Sequence, residues 1–260
     1  EGILNSRVAM RVLCGAIVLS GCSGDSEAAT AVTCVQSAFR NSPPLVIAHA
    51  GGEGLGPANS ILAMQRSMAA GADLLDADLW MSADGVVVAH HDRIVGNVAT
   101  GGGNIDQLTW AELQQIDLRT EWSGDPIPEP VPVASLEQIL EEFPLVTISL
   151  EIKQSEPSIT EALCAVLTRL QAVGRVYLSA NNDDDVYDAQ AKCPGSVVIT
   201  TTYRDVAEMR HARETGDAWC APAPIGQPPF RESLLDPGNV AWSHDHGMAI
   251  FTWTVDDAET

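Results

Sequence analysis

The sequence predicts an α/β fold, a (β/α)8 TIM barrel, and three observations predict it. From Pro44 onward, apolar runs of strand length alternate with amphipathic runs of helical spacing, which implies a parallel sheet. Acidic and imidazole side chains stand at or just past the ends of the apolar runs, where a barrel of this class carries its site. The length, 260 residues, suits one such barrel.

The first element is read as targeting sequence. Met10-Arg11 opens a short basic start, Val12 to Leu19 is mostly apolar, and Leu19-Ser20-Gly21-Cys22 resembles a bacterial lipobox. The apolar stretch is too short to span a bilayer as a mature helix and fits a secretory signal with small residues at its cleavage site. The resemblance implies cleavage before Cys22, acylation of that thiol, and an exported lipoprotein held in the cell envelope, periplasmic or on the outer surface. A plain secretory signal cut further on is the alternative. Glu1 to Ala9 precede the expected start at Met10, and Gly24 to Ala31 is small and polar, as a tether would be. Residues 1–36 are therefore expected to be signal and tether, and residues 37–260 the barrel.

The barrel strands are expected at Leu45–His49, Leu74–Trp80, Val146–Ile152, Arg175–Ser179, Ser196–Thr201, Ala218–Ala221 and Met248–Val255. Helices are expected at Ser60–Ala70, Leu136–Glu142, Ile159–Val173, Asp184–Lys192 and Asp205–Thr215, where apolar residues recur at helical spacing. Val86 to Val133 breaks the rhythm. It holds a strand at Val86–Ala89, three glycines at 101–103, a short helix at Trp110–Ile116 and a proline-rich segment, and it is too long for an ordinary connection. It reads as a small insertion after the second strand, over the rim. Seven barrel strands are counted and the chain ends soon after the seventh, so the expectation is a barrel truncated before its last β/α unit.

A formal charge of −21 argues against nucleic acid or anionic membrane held by general electrostatics. The membrane is expected to be reached only through the N-terminal anchor. Export permits disulfides among Cys34, Cys164, Cys193 and Cys220. Cys164 with Cys193 is the pair favoured, although spacing alone does not fix connectivity.

The chemistry is concentrated in a few residues. A strand points residues i and i+2 to one face, so Asp76 converges with Asp78, and Glu151 with Lys153. Two acids from one strand and a third from another make an all-oxygen site for a hard divalent cation. His49 and His91 lie at strand ends and can transfer protons. Asp92 either orients His91 or caps the next turn, and His90 faces away from it. The combination suits hydrolysis of a phosphate ester. A bound cation and Lys153 would locally invert the acidic field.

In order along the chain, these pieces resemble the glycerophosphodiester phosphodiesterase family. The matching text is Ile47 to Gly52, Pro57-Ala58-Asn59-Ser60, Gly71-Ala72-Asp73 leading into Asp76-Ala77-Asp78, and Asp84-Gly85-Val86 leading into His91-Asp92. It continues through Leu108-Thr109, Glu112-Leu113, Val133 to Leu140, Leu150 to Lys153 and Trp253-Thr254-Val255. The resemblance implies a (β/α)8 barrel with an insertion after the second strand. It also implies Mg2+ or Ca2+ on Asp76, Asp78 and Glu151, an acid/base pair of His49 and His91, and Lys153 on a phosphate oxygen. The implied substrate is a small phosphodiester.

The chain departs from the family where His-Arg becomes His49-Ala50, where Pro-Glu-Asn-Thr becomes Pro57-Ala58-Asn59-Ser60, and where the first metal Glu becomes Asp76. This marks a divergent member. Two alternatives stay open: a phospholipase D-like (sphingomyelinase D-like) enzyme forming a cyclic phosphate with the same residues, and a non-catalytic phospho-ligand-binding lipoprotein.

Overall fold

The computed structural model describes residues 37, 39, 42–96, 101–193, 198–221, 223–230 and 235–255. Cys22, the expected lipidation site, lies outside the described residues. In its first half the chain forms β1 (Ile47–Ala48), α1 (Ile61–Ala70), β2 (Leu74–Met81), β3 (Val87–Ala89), β4 (Ile94–Val95), β5 (Gly103–Asn104), α2 (Trp110–Leu113), β6 (Ala134–Ser135) and α3 (Leu136–Glu142). In its second half it forms β7 (Ile148–Ile152), α4 (Thr160–Arg169), β8 (Val176–Ala180), α5 (Asp183–Lys192), β9 (Val198–Ile199), α6 (Tyr203–Thr215), β10 (Ile225–Gly226), α7 (Pro237–Asp245) and β11 (Ala249–Ile250).

The helices start and stop where side chains can satisfy their free backbone ends. The Ser60 hydroxyl accepts from the Ala63 amide at the start of α1, and Gly71, at φ 101°, ends it in the left-handed region. Ser135 with Gln138 and Thr202 with Asp205 form capping boxes on α3 and α6. The acids Asp183, Asp184 and Asp185 lie in the first turn of α5, where they favour the dipole, and Lys192 lies in the last.

The parallel strands run in the order β1, β2, β7, β8, β9. A parallel bridge from Thr200 to Ile225 carries the series on to β10, which pairs with β11. Alternation along the strands sorts the side chains into two layers. Leu75, Ala77 and Leu79 of β2, Ile148, Leu150 and Ile152 of β7, and Val176 and Leu178 of β8 pack in the large core with the helices. The opposite face of the same strands turns into the barrel. Its floor is apolar, with Leu74, Tyr177, Ile225, Ala249 and Phe251 packed with Phe39 and Ile47. Phe39, Tyr177 and Phe251 meet edge to face there. Above that floor the inward positions are polar: Asp76, Asp78, Ser149, Glu151 and Ser179.

The sixth barrel strand corrects one expectation. It is Ile225–Gly226, not Ala218–Ala221. Pro224 has no N–H to give a ladder, so although its carbonyl accepts from the Ala249 amide, pairing through both amide and carbonyl begins only beyond it. Ile225 then accepts from Thr201, and Gly226 from Phe251.

After β2 the chain turns back, and β3 pairs antiparallel with its upper half, Leu79 to Met81. This begins the expected insertion. The segment has a core of its own, Val88, Val95, Ile105, Leu113, Ile116, Leu118, Val131 and Val133, which lets so long an excursion stay ordered. The favoured pair Cys164 and Cys193 is disulfide-bonded, joining α4 to the end of α5. Among the described residues no helix is long and apolar enough to cross a membrane.

Candidate active site

The site stands on the carboxyl ends of β1, β2 and β7. Register places Asp78 directly beside Glu151, and Asp76 beside Ser149. The Lys153 ammonium lies 3.2 Å from Asp78 Oδ1 and 2.9 Å from Glu151 Oε1. The other Asp78 oxygen, Oδ2, accepts from Asn59 Nδ2 at 2.8 Å. Asp78 is buried with both oxygens partnered, as a buried charge must be. The Lys153 ammonium is held above its ordinary value: burial opposes its charge, and Asp78 and Glu151 outweigh that.

Asp76 is set differently. Its Oδ2 accepts from the Ala50 amide at 3.2 Å, and the Ser149 hydroxyl donates to it as well. Loss of water around the carboxyl, followed by the nearby Asp78 charge, pushes it up to about 6. His49 lies close enough to oppose that rise. It opens a tight turn, residues 49–51, at the end of β1. Ala50 there has φ 46° and ψ 39°, a left-handed conformation unusual for a residue with a Cβ. The His49 Nδ1 faces Glu53 Oε1 at 3.2 Å.

His91 follows β3, which lies further along the same edge of β2 as β1, opposite β7. Its Nδ1 lies 2.8 Å from Asp92 Oδ1, so Asp92 orients the ring, and its carbonyl accepts from Trp80 Nε1. The ring is more than half exposed. Among the described residues no hydrogen bond or ion pair joins the His91 side chain to Asp76, Asp78 or Glu151. The structure thus brings Asp76, Asp78, Glu151 and Lys153 together with His49 beside them, and sets His91 on the adjoining turn. Sequence reasoning missed Asn59. It is fully buried, and its Oδ1 also accepts from the Asp78 backbone amide at 2.9 Å. Its place between Pro57 and the helix-capping Ser60 was the available signal.

Residues 49–260 match the model of the glycerophosphoryl diester phosphodiesterase family. The chain belongs to this family. Among its relatives, Rv2277c of Mycobacterium tuberculosis is 29% identical over 189 residues, 70% of this chain and 62% of that protein, so the match leaves over a third of that relative uncovered. The glycerophosphodiester phosphodiesterase of Caldanaerobacter subterraneus is 26% identical over 223 residues, 83% of this chain and 87% of that one. The structure of a glycerophosphodiester phosphodiesterase from Agrobacterium tumefaciens superposes with a TM-score of 0.67 at 20% identity, covering 83% of this chain and 89% of the other. An Oleispira antarctica phosphodiesterase, in complex with the product sn-glycerol-3-phosphate, gives 0.63 at 20% identity over 82% and 85% of the two chains. These likenesses bear on the fold, which is the TIM barrel the sequence predicts.

Members of the family generally depend on a divalent cation. The donor chemistry here fits one, with carboxyl oxygens from three positions on two adjacent strands. The same cluster already draws a cation, the Lys153 ammonium, between Asp78 and Glu151. In this geometry, however, no three His, Cys, Asp or Glu side chains among the described residues stand close enough together to hold a metal ion.

Proposed function

We propose that this chain hydrolyses glycerophosphodiesters or closely related phosphodiesters to an alcohol and a phosphomonoester. The observation that carries the reading is the cluster of Asp76, Asp78, Glu151 and Lys153 at the barrel mouth, with the His49 turn against Asp76. The product complex of the Oleispira antarctica relative supports it.

In this reading Asp76, Asp78 and Glu151 hold the divalent cation, Mg2+ or Ca2+, which supplies polarisation of a phosphoryl oxygen. Lys153, turned from its carboxylates toward substrate, holds another phosphate oxygen. Carboxylates at the Nδ1 atoms of His49 and His91 keep those nitrogens protonated and leave each Nε2 to face substrate. One ring takes a proton from the attacking water, whose oxygen forms the new bond to phosphorus. The other protonates the departing alkoxide, an otherwise poor leaving group.

The test is release of alcohol and phosphomonoester across a panel of glycerophosphodiesters. Chelator, His49→Ala and Asp76→Asn should each lower turnover by about 100-fold or more. No turnover across the panel with Mg2+ or Ca2+ supplied would overturn the reading, and a cyclic phosphate product would replace it with the phospholipase D-like one. The same proposal places the protein outside the cytoplasm, anchored through acylated Cys22. Labelled fatty acid should enter the protein made in a bacterium with a lipoprotein pathway and not its Cys22→Ala variant.

A further inference from the structure

Behind the exposed His91 ring lies a second imidazole that the chemistry above does not use. His90 is buried. Its Nδ1 lies 2.7 Å from the Asp92 carbonyl oxygen and its Nε2 2.9 Å from Glu121 Oε2. A carbonyl can only accept, so Nδ1 carries a proton. Glu121 Oε1 accepts from the Gly96 amide, which favours an ionised carboxylate, so Nε2 carries a proton as well. Burial works against a charged ring, yet Glu121 and the Asp92 carbonyl outweigh it and hold His90 above its ordinary value. The His90 backbone amide in turn donates to the Asp78 carbonyl at 2.9 Å.

His91 is therefore bracketed. The residue before it is tied to β2 beside Asp78, and the carbonyl after it is tied to the His90 ring. Glu121 secures both ends of the turn from the insertion, holding His90 with one oxygen and Gly96 with the other. We infer that His90, braced by Glu121, is a positioning residue that fixes the His91–Asp92 turn beside Asp78. The inference rests on the hydrolase reading for its kinetic readout and on the geometry alone for its structural one. It gives the insertion a part in the site, because that segment supplies the carboxylate that keeps the turn in place.

The experiment divides the two ring contacts. His90→Asn keeps a donor where Nδ1 stands, His90→Gln keeps one where Nε2 stands, and His90→Ala keeps neither. His90→Ala should lose about 10- to 100-fold in kcat with KM changed less than about threefold, as expected for a misplaced proton-transfer group. His90→Asn should recover most of that loss and His90→Gln less. An alanine variant with kcat within about threefold of wild type overturns the inference, as does an asparagine variant no better than glutamine. If His90→Ala does not fold, the asparagine–glutamine comparison decides by itself.

Amide hydrogen exchange separates this failure from that of the hydrolase reading. Protection over residues 91–96 should fall in His90→Gln and Glu121→Ala while that of β2 and β7 stays. That result supports the clamp even if the wild type turns over no diester, and unchanged protection overturns it.

Discussion

Asn59 shows how one side chain can replace a missing strand. On one edge of β2, β1 pairs only with Leu74 and Leu75, and β3 only with Leu79 to Met81. The Asp78 amide falls between them, and the Asn59 carboxamide takes it while also donating to the Asp78 carboxylate. Asn59 adopts φ 59°, a conformation that asparagine tolerates better than most residues. Asn59→Ala leaves a buried N–H and a buried carboxylate short of partners, which costs about 2–4 kcal/mol in urea unfolding. Asn59→Asp should be worse, since it sets a second carboxylate against Asp78. Lys153 is a comparable case. Its ammonium offsets two carboxylates, so Lys153→Met in chelator should lower stability by about 2–3 kcal/mol, the larger part from Asp78, which is almost fully buried. Added Ca2+ should then raise the unfolding midpoint more in this variant than in wild type. Both residues act over contacts far apart in sequence, which explains why they were unequally legible. Lys153 could be read because it shares a strand face with Glu151. Asn59 stood within a matched motif, but its bond to Asp78 could not be read, because the partner is 19 residues away and no periodicity links the two.

At the scale of elements, the insertion depends on Asp117. Its carboxylate binds the Arg119 side chain and accepts from the Val131 and Arg119 amides, and Arg119 reaches the Ile127 and Pro128 carbonyls. The Arg119 guanidinium, aided by the Val131 and Arg119 amides, lowers the Asp117 carboxyl from 3.8 to about 2. The unfolded chain takes up this proton near pH 4 and the folded one only near pH 2. The stabilisation is therefore complete above about pH 4 and is lost as pH falls through that window. Asp117 is partly exposed, so the contribution is about 1 kcal/mol. Asp117→Asn should be less stable than wild type by that amount at neutral pH, with the gap closing near pH 2, as thermal melts across pH would show. Strands β2, β7 and β8 were readable because each alternates inward polar and outward apolar residues. The strand β10 was not, since prolines beside it displace the pairing from the apolar run that precedes them. Strand alternation sets His90 facing away from His91, and the structure agrees. Its partner Glu121 sits 31 residues on, in a segment without periodic pattern, so its bond was invisible in sequence.

Over the whole molecule, charge and covalent ties matter most. At −21 the protein repels an anionic diester at long range, so raising ionic strength from about 10 to 150 mM should raise kcat/KM severalfold, with little change for a zwitterionic diester. The Cys164–Cys193 bond closes a loop of 29 residues around β8, and replacing both cysteines with serine should cost about 3 kcal/mol while leaving the fold. Denaturant midpoints of the variant and the wild type, both measured without reductant because Cys220 is disulfide-bonded as well, would show the shift. The sorting of β2 and β7 into inward and outward faces has one more consequence, for how such a gene can drift. Removing a single codon ahead of Asp76 within β2 would carry Ala77 and Leu79 into the mouth and drive both carboxylates among the helices. Lineages of this protein can retune the site by substitution, but a one-residue deletion there turns it inside out.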